Sequence, residues 1–176
     1  ASRASVLDLA LFNDQLKDRY VFAFPPVATP PALVSLGAYT VKGAELSWQQ
    51  QWSAAWSSFA GLTLLSSSLA DLPYAPQRSL ALGATWKQGV WRLSADAQAQ
   101  SHMLTLNRAR ADGATNTAGV AGFAVANLRG AYALPALGPR GEVFVSVENL
   151  LDKRYAYRTG YPMPGRAVQL GINLGL

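Results

Sequence analysis

The sequence predicts an all-β protein whose antiparallel strands cross a membrane as part of a β-barrel. Three observations predict this fold class: apolar and polar residues alternate along most of the chain, the alternating segments are long, and short and long connections take turns between them. The composition agrees, because 50% of the 176 residues are hydrophobic and only 14% are charged, whereas soluble domains contain about 25% charged residues. Composition alone also allows a soluble β-sandwich with a large core.

The composition also disfavours other kinds of protein. No stretch approaches the roughly 20 consecutive apolar residues that a membrane-crossing helix needs. The net charge of +5 comes from 15 Lys and Arg residues that are scattered singly, so we expect no nucleic-acid partner. The sequence contains no Cys, which excludes disulfides, thiolate metal sites and Cys nucleophiles.

The alternation has a period of two, which places successive side chains on opposite faces of a strand. From Trp91 to Gln100 an apolar residue alternates with a polar one without a break. From Ala167 to Leu176 small or polar residues alternate with aliphatic ones. Membrane strands need about 9 to 11 residues, whereas soluble strands average about 5 or 6. Runs of this length therefore favour a membrane wall with apolar side chains outward and polar side chains inward.

The pattern predicts nine strands joined by connections of alternating length. The strands are expected at residues 5–13, 18–24, 39–50, 56–65, 78–87, 90–104, 123–134, 140–150 and 166–176. Short turns are expected at residues 14–17, 51–54, 87–89 and 135–139, and long loops at residues 25–38, 66–77, 107–122 and 151–165. Short turns on one side and long loops on the other are typical of the periplasmic and extracellular ends of an outer-membrane barrel.

Aromatic residues lie near the ends of the predicted strands. Such residues form girdles where a barrel wall meets the two membrane interfaces. The alternative is that aromatic side chains simply favour strands of any kind. The residues concerned are Trp48, Trp86, Trp91, Tyr20, Phe22, Phe24 and Tyr132.

The C-terminal segment carries two linked motifs. A strand ends in Asn-Leu-Leu-Asp-Lys-x-Tyr, and after a loop Pro-Gly-Arg opens the final strand. This arrangement resembles the closing strand pair of TonB-dependent outer-membrane receptors. Two earlier segments resemble the family more weakly: LALFNDQLKDRY, and KGAELSW with Gly43 and Glu45. The motif residues are Asn149, Leu150, Leu151, Asp152, Lys153, Tyr155, Pro164, Gly165 and Arg166.

The resemblance implies a barrel of about 22 strands that closes around a plug domain. Residues 1–176 would form its C-terminal part, about nine strands. The N-terminus lacks the pattern of a signal peptide, and we expect the plug domain, the energy-coupling TonB box and the first strands to lie outside this chain. One residue departs from the family pattern, because the chain ends in Leu176 where outer-membrane barrels usually end in Phe or Trp, a signal that the insertion machinery reads.

The resemblance also implies a function. Such a receptor is a multi-pass protein of the bacterial outer membrane that imports a scarce, bulky nutrient such as a ferric siderophore, haem or cobalamin. Its expected partners are membrane lipid, the plug, the TonB complex acting through the plug, and the barrel insertion machinery. We expect no catalysis by this chain and no cofactor other than the transported ligand.

A second hypothesis is a small, complete outer-membrane barrel that acts as a lipid-modifying enzyme or an adhesin. An even number of strands, with the first paired to the last, would favour it. Ser101 and His102 suggest a barrel lipase, but adjacent residues of a strand point to opposite faces and do not easily meet.

Two groups of candidate site residues follow. Arg suits carboxylate or phosphate groups and Tyr offers flat amphipathic surface, so the long loops are expected to bind ligand through Arg108, Arg110, Tyr155, Tyr157, Arg158 and Tyr161. Alternation predicts a second group that faces the barrel lumen, either as a hydrogen-bonded seat for the plug or in contact with substrate. This group contains Glu45, Arg92, Asp96, His102, Arg129, Glu142 and Glu148. His102 could in principle ligate a metal or haem, although a lone His is more often a solvated polar residue.

Overall fold

The chain forms one long antiparallel sheet and three small hairpins that lie in its connections. The structure, a computed structural model, describes residues 4–23, 32–106, 117–138 and 140–174. In chain order the strands are β1 (Ala4–Leu16), β2 (Tyr20–Ala23), β3 (Ala32–Ser35), β4 (Tyr39–Gln51), β5 (Trp56–Ser67), β6 (Arg78–Gln88), β7 (Trp91–Gln100), β8 (Met103–Leu106), β9 (Thr117–Val120), β10 (Phe123–Ala133), β11 (Glu142–Glu148), β12 (Ala156–Arg158), β13 (Tyr161–Pro162) and β14 (Ala167–Asn173). Among the described residues no helix is long and apolar enough to cross a membrane.

Eight strands form the main sheet, which we call the wall. Their order is β1-β4-β5-β6-β7-β10-β11-β14, so each wall strand is hydrogen-bonded to the wall strands that precede and follow it in the chain. Every pairing is antiparallel. Six wall strands contain 10 to 13 residues, which is the length that a tilted membrane strand needs. This sheet confirms the predicted fold class.

The wall has one strand fewer than the sequence suggests. The strand predicted at residues 18–24 corresponds to β2, which pairs with β3 in a hairpin outside the wall. β1 continues through the expected turn as far as Leu16, which pairs with Tyr39. The chain then turns at Asp18, whose φ is 54° and whose N–H donates to the carbonyl of Gly37 at 3.3 Å. The short turn predicted at residues 14–17 is therefore wrong, because a long connection joins β1 to β4.

Short and long connections alternate along the wall, as predicted. The short ones are residues 52–55, 89–90 and 134–141, the last of which contains a single 3-10 turn, Pro135–Leu137. The long ones are residues 17–38, 68–77, 101–122 and 149–166. All short connections lie at one end of the wall, the short-turn end, and all long ones at the other, the long-loop end. The two ends of the wall therefore differ across its whole width, from β1 to β14. The last strand, β14, runs towards the short-turn end.

The wall has one apolar and one polar face, because paired residues of neighbouring strands share a face. Leu46 pairs with Leu9 and with Leu62, and in the last pair Val145 lies opposite Leu170. The apolar face includes Leu7, Leu9, Leu46, Leu62, Leu80, Leu82, Ala97, Leu128, Val145 and Leu170. The polar face includes Asp8, Glu45, Ser47, Thr63, Ser79, Asp96, Gln98, Arg129, Ser146 and Gln169. This arrangement suits lipid outside and an aqueous lumen inside.

All five tryptophans of the sequence lie at the short-turn end of the wall. Their rings form neighbouring pairs, Trp48 with Trp52 at 5.7 Å and Trp56 with Trp86 at 6.4 Å between ring centroids. Trp91 packs edge-on against Tyr132 at 4.8 Å. This row is the aromatic girdle that the sequence predicts, since an indole combines an apolar ring with a polar N–H that suits a membrane interface.

At the long-loop end, the aromatic residues that were expected to form a second girdle do not lie in wall strands. Tyr20 and Phe22 belong to β2, in the hairpin outside the wall. The predicted residue Phe24 lies outside the described ranges.

Three phenylalanines on the polar face cover glycines of the neighbouring strand. Phe12 pairs with Gly43, Phe59 with Gly83 and Phe144 with Gly171. A Cβ atom at each of these glycines would overlap the phenylalanine ring. The rings therefore lie flat against the lumen wall, in the way that aromatic residues cover strand glycines elsewhere.

The buried apolar residues concentrate at the long-loop end. Leu72, Met103, Val120 and Phe123 are each less than 9% exposed, whereas Leu170 of the apolar face is 83% exposed. The wall itself therefore encloses little core. The connections at the long-loop end are instead packed against one another.

Candidate ligand-binding site at the long-loop end

The hairpins of two long connections are joined through a pair of threonines. Thr105 of β8 is fully buried, and its Oγ1 lies 3.1 Å from Oγ1 of Thr159. The backbone N–H of Thr159 also donates to Oγ1 of Thr105 at 3.5 Å. The hairpin β8–β9 and the hairpin β12–β13 are therefore held together although they are far apart in the sequence.

A third long connection packs on the hairpin β8–β9. The N–H of Tyr74 donates to the carbonyl of Leu104 at 2.7 Å, and Pro73 forms an isolated bridge to Leu104. Leu72 and Met103, which directly precede Pro73 and Leu104 in the chain, are also buried. We call this unit, residues 68–77, 101–106, 117–122 and 149–166, the vestibule wall. It is a packed platform and not a set of separate loops.

Three aromatic rings lie together where the vestibule wall meets the polar face. The ring of Phe123 lies 4.5 Å from Tyr155 and 5.2 Å from Tyr157, and the two tyrosine rings are 5.7 Å apart. Gln98 of the polar face donates from Nε2 to the hydroxyl of Tyr157 at 2.8 Å. Burial raises the pKa of Tyr155, and Tyr157 and Glu148 raise it further. The phenol of Tyr155 therefore stays neutral and able to donate a hydrogen bond at ordinary pH.

The C-terminal motif residue Asn149 fixes the base of the loop that carries these tyrosines. Its Nδ2 donates to the carbonyls of Lys153 and Pro164 at 2.9 and 3.2 Å, and its Oδ1 accepts from the N–H of Lys153 at 2.8 Å. Its own N–H donates to Oδ1 of Asn127 at 2.9 Å. Asn149 is only 4% exposed and has a φ of 49°, which Asn tolerates better than most residues. The side chain of Asn149 thus joins the two ends of the loop, and its backbone N–H ties them to the wall.

The other motif residues complete this base. Oδ1 of Asp152 accepts a hydrogen bond from the N–H of Arg166 at 2.8 Å. A Cβ atom at Gly165 would lie 2.7 Å from the same oxygen, so only glycine leaves room there. The N–H of Leu150 donates to the carbonyl of Ala126 at 2.8 Å. The motif is therefore a structural clamp, and among its predicted residues Tyr155 is the one whose ring joins the aromatic group.

The remaining predicted ligand-binding residues are not all gathered at this place. The guanidinium carbon of Arg158 lies 5.1 Å from the ring centre of Tyr161, and both residues are exposed on the hairpin β12–β13. Arg108 and Arg110 lie outside the described residues. The structure thus brings together Tyr155 and Tyr157, and separately Arg158 and Tyr161.

A cavity of about 340 Å³ opens between the two hairpins of the vestibule wall. One side is a glycine-containing segment, Gly119–Gly122, and the other is residues 153–156 with Thr159. Lys153 and Arg154 bring positive charge to this cavity, and Tyr155 brings a phenol. Such a lining suits a carboxylate or phosphate group. Across the part of the chain that the structure describes, no three His, Asp or Glu side chains are grouped closely enough to hold a metal ion.

Six of the seven predicted lumen residues lie on the polar face, at three levels. At the short-turn end Glu142 accepts hydrogen bonds from Arg129 at 2.7 Å and from Arg92 at 3.3 Å. Midway along, Asp96 accepts from Nδ2 of Asn127 at 2.7 Å. Glu45 and Glu148 lie nearer the long-loop end, and Glu45 lines a shallow groove of about 380 Å³. These residues share one face, as the alternation predicts.

His102 is placed differently from the prediction. β7 ends at Gln100, and the chain turns there because Oγ of Ser101 accepts a hydrogen bond from the N–H of Arg78 at 3.2 Å. His102 follows the end of the strand, is exposed, and lies against Gly119 of β9. It therefore belongs to the vestibule wall and not to the strand face of the lumen.

Comparison with known protein families identifies the family to which this sheet belongs. A family model described as TonB dependent receptor-like, beta-barrel, matches residues 2–150. The chain belongs to this family. TonB-dependent receptor barrels are proteins of the bacterial outer membrane, and in outer-membrane barrels the long loops are typical of the extracellular end and the short turns of the periplasmic end.

Solved structures share the fold of this TonB-dependent receptor barrel. The siderophore receptor PiuA from Acinetobacter baumannii matches with a TM-score of 0.73 and 20% identity, over 97% of this chain and 26% of that one. The copper transporter OprC matches with a TM-score of 0.71 and 20% identity, over 96% and 28%. The FrpB iron transporter from Neisseria meningitidis matches with a TM-score of 0.70 and 17% identity, over 97% and 29%. The chain thus spans little more than a quarter of the length of these proteins. Among curated proteins no match was found.

Proposed function

We propose that this chain forms the C-terminal wall and extracellular loops of an outer-membrane receptor that actively imports a scarce, bulky nutrient. The observation that carries the proposal is the aromatic group of Phe123, Tyr155 and Tyr157, which lies on the lumen side of a packed extracellular platform. Rigid aromatic surface with phenol groups and nearby cations suits a large anionic or aromatic ligand. A ferric siderophore, haem or cobalamin has this chemistry.

The proposal includes further strands and a plug domain, with residues 1–176 as part of the barrel. Within the described residues β1 pairs with β4 alone and β14 with β11 alone, so both edges of the wall are open. An open edge cannot face lipid, because its backbone N–H and C=O groups would lack partners. Strands that pair with β1 and β14 would close the barrel, and a plug would fill its lumen. The TonB complex would act through that plug, and the insertion machinery would assemble the barrel.

The open edges also bear on the alternative of a small, complete barrel that acts as an enzyme or adhesin. The wall has an even number of strands, eight, but the first strand does not pair with the last among the described residues. His102 and Ser101 lie beyond the end of β7, and Oγ of Ser101 already accepts the N–H of Arg78. We therefore propose transport, with no catalysis by this chain.

Binding and uptake by the full receptor test the proposal. Tyr157→Ala with Tyr161→Ala, and Arg108→Ala with Arg110→Ala, should each weaken ligand binding by about 10-fold, because truncation of an aromatic or Arg side chain that contacts the ligand costs about 1.4 kcal/mol or more. Tyr157→Phe should lose less, since it keeps the ring and removes only the hydroxyl that accepts from Gln98. A panel of a ferric catecholate, a ferric hydroxamate, haem and cobalamin would be measured for surface binding and uptake.

The matched control is Ala136→Ser in the periplasmic turn, which should leave binding unchanged. Every variant should keep the heat-modifiable gel mobility of a folded barrel. If the turn variant loses binding as much as the loop variants, or if neither loop pair changes binding, recognition does not lie in this vestibule wall.

A further inference from the structure

The lumen-facing side of β5 and β6 differs from its neighbours on the polar face, because its residues are mostly small and uncharged. Both strands lie wholly within the described ranges, and alternation along each strand gives the residues that face the lumen. Three register pairs cross this surface: Ser57 with Thr85, Gly61 with Ala81, and Thr63 with Ser79. The one charged residue of the two strands that faces the lumen, Lys87, lies at the short-turn end. We call the lumen-facing surface between the first and the last of these pairs the neutral strip.

Carboxylate side chains border the neutral strip on both sides. Glu45 of β4 pairs with Thr63, and Asp96 of β7 pairs with Gly83. Asp96 accepts a hydrogen bond from Nδ2 of Asn127 at 2.7 Å, so it is held towards β10. The neutral strip is therefore an uncharged sector, two strands wide, between strands that carry charge.

Two grooves follow the neutral strip and meet on it. The groove of about 380 Å³ reaches Ser47 of β4 and Gly61 of β5. A second groove, of about 570 Å³, begins one lumen-facing position nearer the short-turn end, at Gln49 and Phe59. At the junction the ring of Phe59 covers Gly83, and among the described residues no atom apart from those of its chain neighbours lies within 4 Å of the Cβ position of Gly61. The two grooves thus form one continuous, open course along the strip.

This course begins at the aromatic group of the long-loop end. Phe123, whose ring packs on Tyr155 and Tyr157, also lines the groove of about 380 Å³. Gln98 lines the same groove and donates to the hydroxyl of Tyr157 at 2.8 Å. The neutral strip therefore connects the aromatic group to the short-turn end of the wall.

We propose that the neutral strip is the track along which the transported ligand moves from the aromatic group towards the short-turn end. This proposal rests on the proposed function, because it needs a transported ligand. A charged side chain would hold or repel a charged ligand strongly, whereas hydroxyl and amide groups exchange hydrogen bonds with water for hydrogen bonds with the ligand at little net gain. Passage requires contacts that are weak and repeated. The strip offers such contacts to a bulky ligand whose surface carries hydroxyl, amide or carboxylate oxygens.

Bulky replacements on the neutral strip test this track in the full receptor. Gly61→Trp and Ala81→Trp each place an indole on the floor of the grooves, where the Cβ position of Gly61 is open. The matched control, Gln169→Trp, places the same ring on the polar face of β14, outside the strip. Uptake of the panel ligand that the wild type imports best should fall by about 10-fold or more in both strip variants, because passage depends on the free width of the pore. Surface binding and heat-modifiable mobility should be unchanged, and Gln169→Trp should import as the wild type does.

A smaller substitution keeps the test decisive if an indole disturbs assembly. The sequence contains no Cys, so Ala81→Cys can be modified selectively with a bulky maleimide in an assembled receptor that has no other cysteine. Import should be normal before modification and about 10-fold lower after it, and Gln169→Cys treated in the same way should be unaffected.

The outcomes separate the track from the function on which it rests. Wild-type uptake by both Trp variants or by modified Ala81→Cys, or an equal loss from the Gln169 controls, would overturn the track. Loss of surface binding in the strip variants would also overturn it, because the strip would then act in recognition. A wild-type receptor that imports no member of the panel would contradict the proposed function, and the track with it.

Discussion

At the scale of single residues, the two tyrosines show what the sequence could and could not predict about the candidate site. Tyr155 and Tyr157 were predicted from the chemistry of the closing loop, and the structure places them together. Phe123, the third ring of the aromatic group, lies 32 residues before Tyr155, at the start of β10. Thr105, which joins the two hairpins, lies in a different long connection from the tyrosines. Contacts between distant connections depend on packing, which alternation along one strand does not describe.

Asn149 provides a prediction at this scale. Asn149→Ala should destabilise the loop base by about 1 to 3 kcal/mol, because it removes three side-chain hydrogen bonds and places a less tolerant residue at a positive φ. Asn149→Gly keeps the backbone freedom and should lose only the hydrogen bonds. Thermal denaturation of the full receptor, followed by gel mobility, measures both. Equal stability of Asn149→Ala and the wild type would mean that the clamp is unimportant.

The glycines of the lumen face provide a second prediction. Gly83→Ala should destabilise the barrel by about 1 to 3 kcal/mol, because a Cβ there overlaps the ring of Phe59. Gly61→Ala is the matched control, since it lies on the same face with nothing within 4 Å of its Cβ position. The urea concentration that abolishes heat-modifiable mobility would be compared. A control as damaging as Gly83→Ala would show that loss of chain flexibility, and not the ring, matters.

At the scale of elements, alternation identified the wall strands because their two faces meet different solvents. It failed at residues 18–24, because β2 (Tyr20–Ala23) pairs with β3 in a hairpin outside the wall. It also joined β7 to β8, since nothing in the polar pair Ser101 and His102 marks a turn until Ser101 is seen to accept the N–H of Arg78. Tertiary pairing, and not local pattern, sets these boundaries.

Substitution with Arg tests the two faces of one strand. Leu170→Arg should destabilise the barrel by about 2 to 4 kcal/mol. Ile172→Arg should cost less, because Ile172 pairs with Val143, next to Tyr132 of the girdle. Gln169→Arg should be tolerated, because Gln169 pairs with Ser146 on the polar face whereas Leu170 pairs with Val145 on the apolar face. Denaturation in lipid vesicles gives both values. Equal defects from Gln169→Arg and Leu170→Arg would contradict the assignment of lipid and lumen faces.

At the scale of the whole molecule, the account rests on a wall that is asymmetric in two directions. Long connections, the vestibule wall and the aromatic group lie at one end, and the tryptophan girdle lies at the other. Apolar side chains cover one face and polar side chains the other. A wall with these properties suits the transport proposed above, in which further strands would pair with β1 and β14.

The most direct test of this account is whether residues 1–176 form a barrel alone. The chain would be refolded into detergent and lipid vesicles beside the full receptor, and both would be run on gels with and without heating. The account predicts that the isolated chain aggregates or shows no heat-modifiable band, because its edge strands lack partners, while the full receptor shows one. A stable, heat-modifiable monomer of 18.8 kDa would contradict it and favour a small, complete barrel.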